Sequence, residues 1–458
     1  MIALTKTCNL DPPLRRGTGR VACTLFLCHV DKMGKSDAKK FLAPLVGEEG
    51  GITCGDSGDP AWLDEIDVVA EDCSVEFRST AYQLGSRSRA ASLVSGNDII
   101  KLVTRRAVQY LKRPNVLVYC LICDKPSFVT ESKLPEQRER DKQGGGVAEA
   151  LAATEAVDRY FPENVELSLE TTAPGAAWGC CLNHRGTRQR FVRFIMANVM
   201  QAIPVFVLGS KMLIVDFEGE AGKSVAMRYT AKGATAIPGN EVGEFDLSWL
   251  SWRRSLTEML GPRKMLLCTI DTDLMMIGML YAARTGRDDV FVLLDGKSPS
   301  TTMYIDTRAC VRSLQDHLRG PDEMSTVLGL VQASVTAGSD FTRGWPGIGH
   351  TTMLKAFVTR MREPAARRCM PTTQQILKTA QGLSKGGKRK RTGSSSGDNG
   401  LPARHYDFEY ARTLFTLKYW CEHLSGRPDV VVCPFKTYGD ATCPGWLPHS
   451  ELTIVENR

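Results

Sequence analysis

No apolar run in this 458-residue chain approaches the ~18 residues that a membrane-crossing helix needs, which excludes a transmembrane anchor. The early stretch "VACTLFLCHV" (21–30) follows Arg15, Arg16 and Arg20. It lacks a small-residue cleavage site and ends in His29 and Asp31, so it is not read as a secretory signal. There are fifteen cysteines but no disulfide-framework spacing, and Cys120, Cys123 and Cys268 sit inside apolar runs. They read as small buried hydrophobes in a reducing compartment. Cys120 and Cys123 have CxxC spacing, but in the strand-like "NVLVYCLICD" a redox or zinc role is the minor reading. Cys421, His423, Cys433, Cys443 and His449 follow no standard zinc spacing. Internal repeats are absent. So is a strong charge imbalance: 58 Lys+Arg against 51 Asp+Glu permits a nucleic-acid partner without demanding one.

What is present is globular. A composition 43% hydrophobic and 24% charged suits one large or two ordinary domains in an intracellular protein, and a monomer is expected. Residues 1–32 are poorly patterned. Short apolar runs then recur: "IDVVAED" (66–72), "VLVYCLIC" (116–123), "QAIPVFVLGSKMLIVDFEGE" (201–220, one or two strands), "RKMLLCTI" (263–270) and "DVFVLLD" (289–295). Between them lie helical patterns such as "NDIIKLVTRRAVQYLKRPN" (97–115). Strand and helix alternating in this way predict an α/β fold with a parallel sheet flanked by helices. "KPSFVTESKLPEQRERDKQGGG" (125–146) reads as a charged surface element. Residues 380–402, with "GGKRKRTG" and a Gly/Ser tract, read as a disordered basic linker. The basic run 388–391 suits a nuclear localisation signal, a phosphate patch or a solubilising linker. The C-terminal segment 403–458 opens with "ARTLFTLKYWCEHL", a helix whose aromatic residues either pack on the core or stack on single-stranded bases.

The acids fall in a pattern. Asp72, Asp124, Glu218, Glu220, Asp271 and Asp273 each follow or flank the carboxyl end of a predicted strand. In open α/β sheets those ends form the crevice where ligands bind. Each residue alone reads as an ordinary strand-end acid. Six together, two pairs of them acid-x-acid, could not all stay ionised in one crevice without cations. Hard divalent ions take carboxylate oxygens, and a two-ion site suits in-line phosphodiester displacement.

These stretches resemble the flap endonuclease/XPG nucleases and their Xrn-type exoribonuclease relatives. "GSDFTRGWPGIGHTTMLKAF" (338–357) resembles that family's Gly-x-Asp-aromatic followed by a helix-hairpin Gly-Ile-Gly, with Gly347 seven residues after Asp340. "ICDKPSFVTESK", "EGEAGK" and "DTDLMMIG" resemble its strand-end Asp, Glu-x-Glu and Asp-x-Asp motifs, the last two with an Xrn flavour. The resemblance covers roughly 33–370, as an N-region (33–146) and an I-region (201–370). It implies a PIN/FEN-like sheet with a helical arch and a helix-hairpin of the H2TH type. It also implies two Mg²⁺ ions, replaceable by Mn²⁺, on Asp72, Asp124, Glu218, Glu220, Asp271, Asp273 and Asp340. For the first of these, Asp67 competes with Asp72. Lys133, Gln137, Arg138 and Arg140 resemble the arch residues that hold the scissile or 5′ phosphate, with Lys133, Arg138 and Arg140 aiding catalysis. Gly347, Ile348, Gly349, His350 and Thr351 would hold duplex backbone without reading bases, with K⁺ as a companion ion.

The implied activity is a metal-dependent 5′-nuclease acting on DNA flaps, nicks or recessed ends in replication or repair. A 5′→3′ exoribonuclease, or an mRNA-degrading nuclease like the herpesvirus host-shutoff proteins, stays open as an alternative. With it stays a viral replication compartment in place of a nucleus. A non-catalytic nucleic-acid-binding module is the rival of another class. The chain departs from the pattern at its start. "MGKSDAKKFLAPLV" (33–46), not residue 1, resembles the family's opening, and Gly34 lies 38 residues before Asp72. The long gap between Glu220 and Asp271 reads as an insertion, and no sliding-clamp motif is found.

Overall fold

The computed structural model describes residues 46, 50–86, 89–128, 146–296, 301–338 and 348–386, together with 416, 417, 420, 421, 423 and 424. The strands in chain order are β1 (Ile52–Cys54), β2 (Val68–Asp72), β3 (Leu93–Ser95), β4 (Val118–Ile122), β5 (Thr172–Pro174) and β6 (Met212–Glu218), followed by β7 (Ser224–Thr230), β8 (Gly233–Ile237), β9 (Met265–Thr269), β10 (Val290–Leu294) and β11 (Met303–Asp306). The helices are α1 (Cys73–Leu84), α2 (Gly96–Val103), α3 (Arg105–Leu111), α4 (Gly146–Tyr160), α5 (Gly175–Asn183), α6 (Arg185–Ala197) and α7 (Val205–Leu208). After them come α8 (Phe245–Leu260), α9 (Thr272–Thr285), α10 (Thr307–Leu318), α11 (Glu323–Ala337), α12 (His350–Met361) and α13 (Thr373–Gly386).

One sheet runs β1–β11–β10–β9–β2–β4–β6–β7–β8, and its central strands from β10 to β6 are parallel. Every residue of β2, β4, β9 and β10 is buried, as expected of parallel strands covered on both faces. Successive side chains alternate between two cores. Val68, Ala70, Cys120, Leu267 and Val292 join the core that contains α8, α9, α10 and α11 residues. Val69, Tyr119, Leu121, Leu266 and Phe291 join the core built with α1, α2, α5 and α6. The predicted α/β class with a parallel sheet is therefore what forms. Cys120 and Cys123 belong to opposite cores, so that CxxC cannot grip one ion.

The details differ from the sequence reading in places. The helix expected over 97–115 is two helices, α2 and α3. They break at Thr104, whose hydroxyl donates to the Ile100 carbonyl at 2.7 Å. Of the one or two strands expected in 201–220, one forms, in the second half, while Pro204 opens the short turn of α7. The stretch from Glu220 to Asp271 holds the β7–β8 hairpin, which extends the sheet antiparallel, and α8. At the far edge, β11 and β1 are antiparallel too. From the C-terminal segment, Leu417 and Trp420 are 0% and 1% exposed, and Arg254 donates to the His423 carbonyl at 2.9 Å. Trp420 thus packs into the core and is not available to stack on bases.

The topology places the ligand crevice. Chain order runs from β2 outward to β4 and β6 on one side, and to β9 and β10 on the other, so the direction reverses between β2 and β9. In such sheets the carboxyl ends of the strands flanking that point form the binding cleft. Lys133, Gln137, Arg138, Arg140, Asp340, Gly347, Cys433, Cys443, His449, the extension 1–32 and the basic run 388–391 lie outside the described residues.

Candidate metal centre

Asp72 is both the last residue of β2 and the N-cap of α1. Its Oδ1 accepts the Ser74 N–H at 2.7 Å, which satisfies one of the helix's otherwise unpaired donors. The side chain is buried, and burial raises its pKa to about 7. The Asp124 carboxylate pushes the same way, while the Ser74 hydrogen bonds and Arg78 oppose it. Asp67, at the amino end of β2, accepts the Lys264 N–H at 3.1 Å on the opposite edge of the sheet. Geometry therefore favours Asp72 over Asp67.

Asp124 follows β4 and is half-buried. Its Oδ1 accepts the Phe245 N–H at the start of α8 (3.2 Å), and its carbonyl accepts Gln189 Nε2 at 3.4 Å. The next residue anchors this turn from below. Lys125 is wholly buried, with Nζ 2.5 Å from Asp216 Oδ1 and donating to the Asn240 carbonyl, while Trp252 Nε1 donates to Asp216 Oδ2 at 2.7 Å. Burial raises the Asp216 pKa, and Lys125 pulls it back.

Glu218 ends β6 and is held from both sides by Ser127, whose N–H and Oγ reach its two oxygens at 2.9 and 3.0 Å. That bridge ties the ends of β4 and β6 together. Glu220 is exposed at the start of the tight turn Glu220–Gly222. Ala221 has φ 54°, a left-handed conformation that disfavours a side chain, and strain of this kind clusters at functional sites. Gly222 also has positive φ, and a Cβ there would lie 2.8 Å from Ser127 Oγ, so only glycine fits. Asp271 is the N-cap of α9 and accepts the Asp273 N–H at 3.0 Å. Asp273 sits in the first turn, and both are half-buried. Part of the reason for this acid pair is thus local: carboxylates suit a helix N-terminus.

Adjacent strands lie ~4.8 Å apart, so the ends of β9, β2, β4 and β6 set their acids along an edge ~14 Å long. Asp72 and Asp124 interact directly through their charges. Among the described residues no three His, Cys, Asp or Glu side chains close into one metal-holding group, and Asp340 lies outside them. The donor chemistry of the Asp72–Asp124 pair nevertheless fits a hard divalent cation. It offers oxygen ligands on neighbouring strand ends, and their repulsion is relieved by positive charge.

Of the expected duplex-binding turn, Ile348 is buried and Gly349 is the N-cap of α12 with no side-chain cap. His350 Nε2 lies 2.7 Å from the Gly338 carbonyl, and Thr351 is half-buried in the first helical turn.

Two groups of charges escaped the sequence reading. On the face opposite the Asp72 side chain, Glu71 is 0% exposed and accepts the Tyr119 hydroxyl. Arg106 Nε lies 3.3 Å from Glu71 and 2.9 Å from Glu76, and its Nη2 lies 2.8 Å from Asp295. The second group is Arg78 on α1 with Arg188 on α6, which act electrostatically at the Asp72–Asp124 pair, and Arg185, close enough to act on Arg188. Arginines at i, i+3 in "RGTRQRF", at a helix start where cations are disfavoured, were the available signal. A scan of protein-family models and a search of curated proteins both return no match to this chain.

Proposed function

We propose that the chain is a divalent-metal-dependent nuclease of the 5′-nuclease type, hydrolysing phosphodiester bonds at nucleic-acid ends or junctions. One observation carries the reading. Asp72, Asp124, Glu218 and the Asp271/Asp273 pair sit at the carboxyl ends of four adjacent parallel strands, around the point where the strand order reverses. Mg²⁺ bound there would supply the charge that activates water and stabilises the leaving oxygen. The chain's own part is positional. Asp72 and Asp124 offer oxygen donors, Ser127 fixes the rotamer of Glu218, and the buried Lys125–Asp216 pair holds the turn that carries Asp124. The uncapped N-terminus of α12 at Gly349 supports a role in holding a duplex phosphate. A pure binding module gains nothing from a row of carboxylates facing a polyanion.

The test is Mg²⁺-dependent cleavage of three 5′-labelled substrates: a DNA 5′ flap, nicked duplex DNA and 5′-monophosphorylated RNA. Asp271→Asn/Asp273→Asn serves as control and should abolish turnover while retaining binding. Cutting at the flap junction supports the structure-specific DNA nuclease. Preference for RNA moves the chain to the exoribonuclease side. Absence of mutant-sensitive cleavage on all three substrates defeats the catalytic reading.

A further inference from the structure

A half-buried guanidinium without a hydrogen-bond partner among the described residues stands beside the candidate centre. Arg188, half-buried one turn into α6, makes no hydrogen bond or ion pair through its side chain among the described residues, and neither does Arg185. Its surroundings are poor for a cation. Burial lowers its pKa and Arg78 and Arg185 add to the effect, against the opposing pull of Asp124 and Asp72. α6 has no acid in its first turn and no side-chain cap at His184, so its positive end meets more positive charge. A mere counter-charge to Asp72 and Asp124 would close an ion pair with one of them, and Arg188 closes none among the described residues. The helix is nonetheless pinned to the centre, because Gln189, next to Arg188, donates to the Asp124 carbonyl. Arg78 lies six residues past Asp72 on the exposed side of α1. Tyr82, one turn further along that side, is 56% exposed. The combination of convergent cations, an open helix N-terminus and an exposed ring is suited to a phosphate with a base attached.

We propose that Arg78, Arg185 and Arg188, with Tyr82, form a subsite for single-stranded nucleic acid. The guanidiniums grip a phosphate beside the bond presented to Asp72 and Asp124, and Tyr82 stacks an adjoining base. The assignment of the neighbouring bond rests on the nuclease reading; the binding itself is measured without catalysis. Anisotropy of a 3′-labelled oligothymidine is titrated with the full chain in EDTA, over a range of KCl concentrations. Each phosphate contact on a single strand contributes ~0.7 to the slope of log Kd against log salt. Arg185→Ala/Arg188→Ala is expected to lower that slope by about 0.7, the value of the one phosphate released, and Arg78→Ala to weaken binding with a smaller change of slope. Arg185→Lys/Arg188→Lys, which keeps the charges, should restore the slope and stands in if the alanine variant fails to fold. Tyr82→Ala should weaken binding roughly 5-fold or more, with Tyr82→Phe near wild type. Unchanged slopes, or equal losses on a blunt duplex probe, overturn the subsite. Slope changes in a protein that shows no Mg²⁺-dependent cleavage would instead sink the nuclease reading and leave the single-strand subsite standing.

Discussion

Asp72→Asn should make the metal-free protein more stable at alkaline pH and less responsive to Mg²⁺. The carboxyl of Asp72 titrates near 7 in the fold, against a usual value of 3.8. Between those values the folded state holds a proton that the unfolded chain has released, so stability falls as pH rises through the window and levels off above about 7. At 1.36 kcal/mol per unit, the loss is on the order of 4 kcal/mol. Asparagine removes this charge and still accepts the Ser74 N–H, since Asn caps helices as well as Asp. Losing a carboxylate at a helix N-terminus gives back ~0.3–1 kcal/mol. The net gain at pH 8 is on the order of 3 kcal/mol, roughly 3–5 °C in Tm for a domain of this size, and it should vanish near pH 4. The assay is differential scanning of both proteins from pH 4 to 9, in EDTA and in Mg²⁺. The difference between the curves cancels the titrating groups that do not interact with Asp72. Mg²⁺ should raise the Tm of the wild type well above that of the variant, because a ligand that binds only the native state adds its binding free energy. Parallel pH curves in EDTA would refute the electrostatic argument. Equal Mg²⁺ shifts would refute the cation site.

The buried network opposite gives a prediction of contrary sign. Arg106→Leu leaves the wholly buried Glu71 with Glu76 and Asp295 and no cation, and should destabilise by roughly 3–5 kcal/mol in denaturant melts. Glu71→Gln, which keeps an acceptor for Tyr119, should cost far less, and a neutral Arg106→Leu would show that the network is not holding the strands. Trp420→Ala should lower stability by roughly 3–5 kcal/mol, as loss of a buried aromatic does, while single-strand affinity stays unchanged. Weaker binding at unchanged stability would restore a base-stacking role for this segment.

The central sheet was legible in the sequence because its five parallel strands are almost wholly buried and read as short, mainly apolar runs. The edge strands were not. β1 and β11 are short and half-buried, and β8, with four of its five residues exposed, has no apolar face to announce it. The position of the acids was legible for the same reason as the strands they end. Their number overstated their convergence, since Asp271 also caps a helix and Glu220 faces solvent. Arg106 was invisible because it acquires meaning only from partners far away in sequence, such as Asp295, and Arg188 left only the faint signal of two arginines at one helix start.

Two consecutive residues at the end of β2 show how the chain separates holding from acting. Glu71 and Asp72 are both buried and both shifted upward by burial, yet the alternation of the strand sends them to opposite faces. Glu71 meets a guanidinium and a tyrosine hydroxyl, which leaves it little freedom to bind anything else. Asp72 meets a second carboxylate on the next strand, and a helix N-terminus and Arg78 offset only part of the repulsion and the cost of burial. A buried carboxylate whose pKa stays raised despite the arginines nearby, on a strand already locked by its neighbour's arginine, is the arrangement that favours a cation arriving from solution.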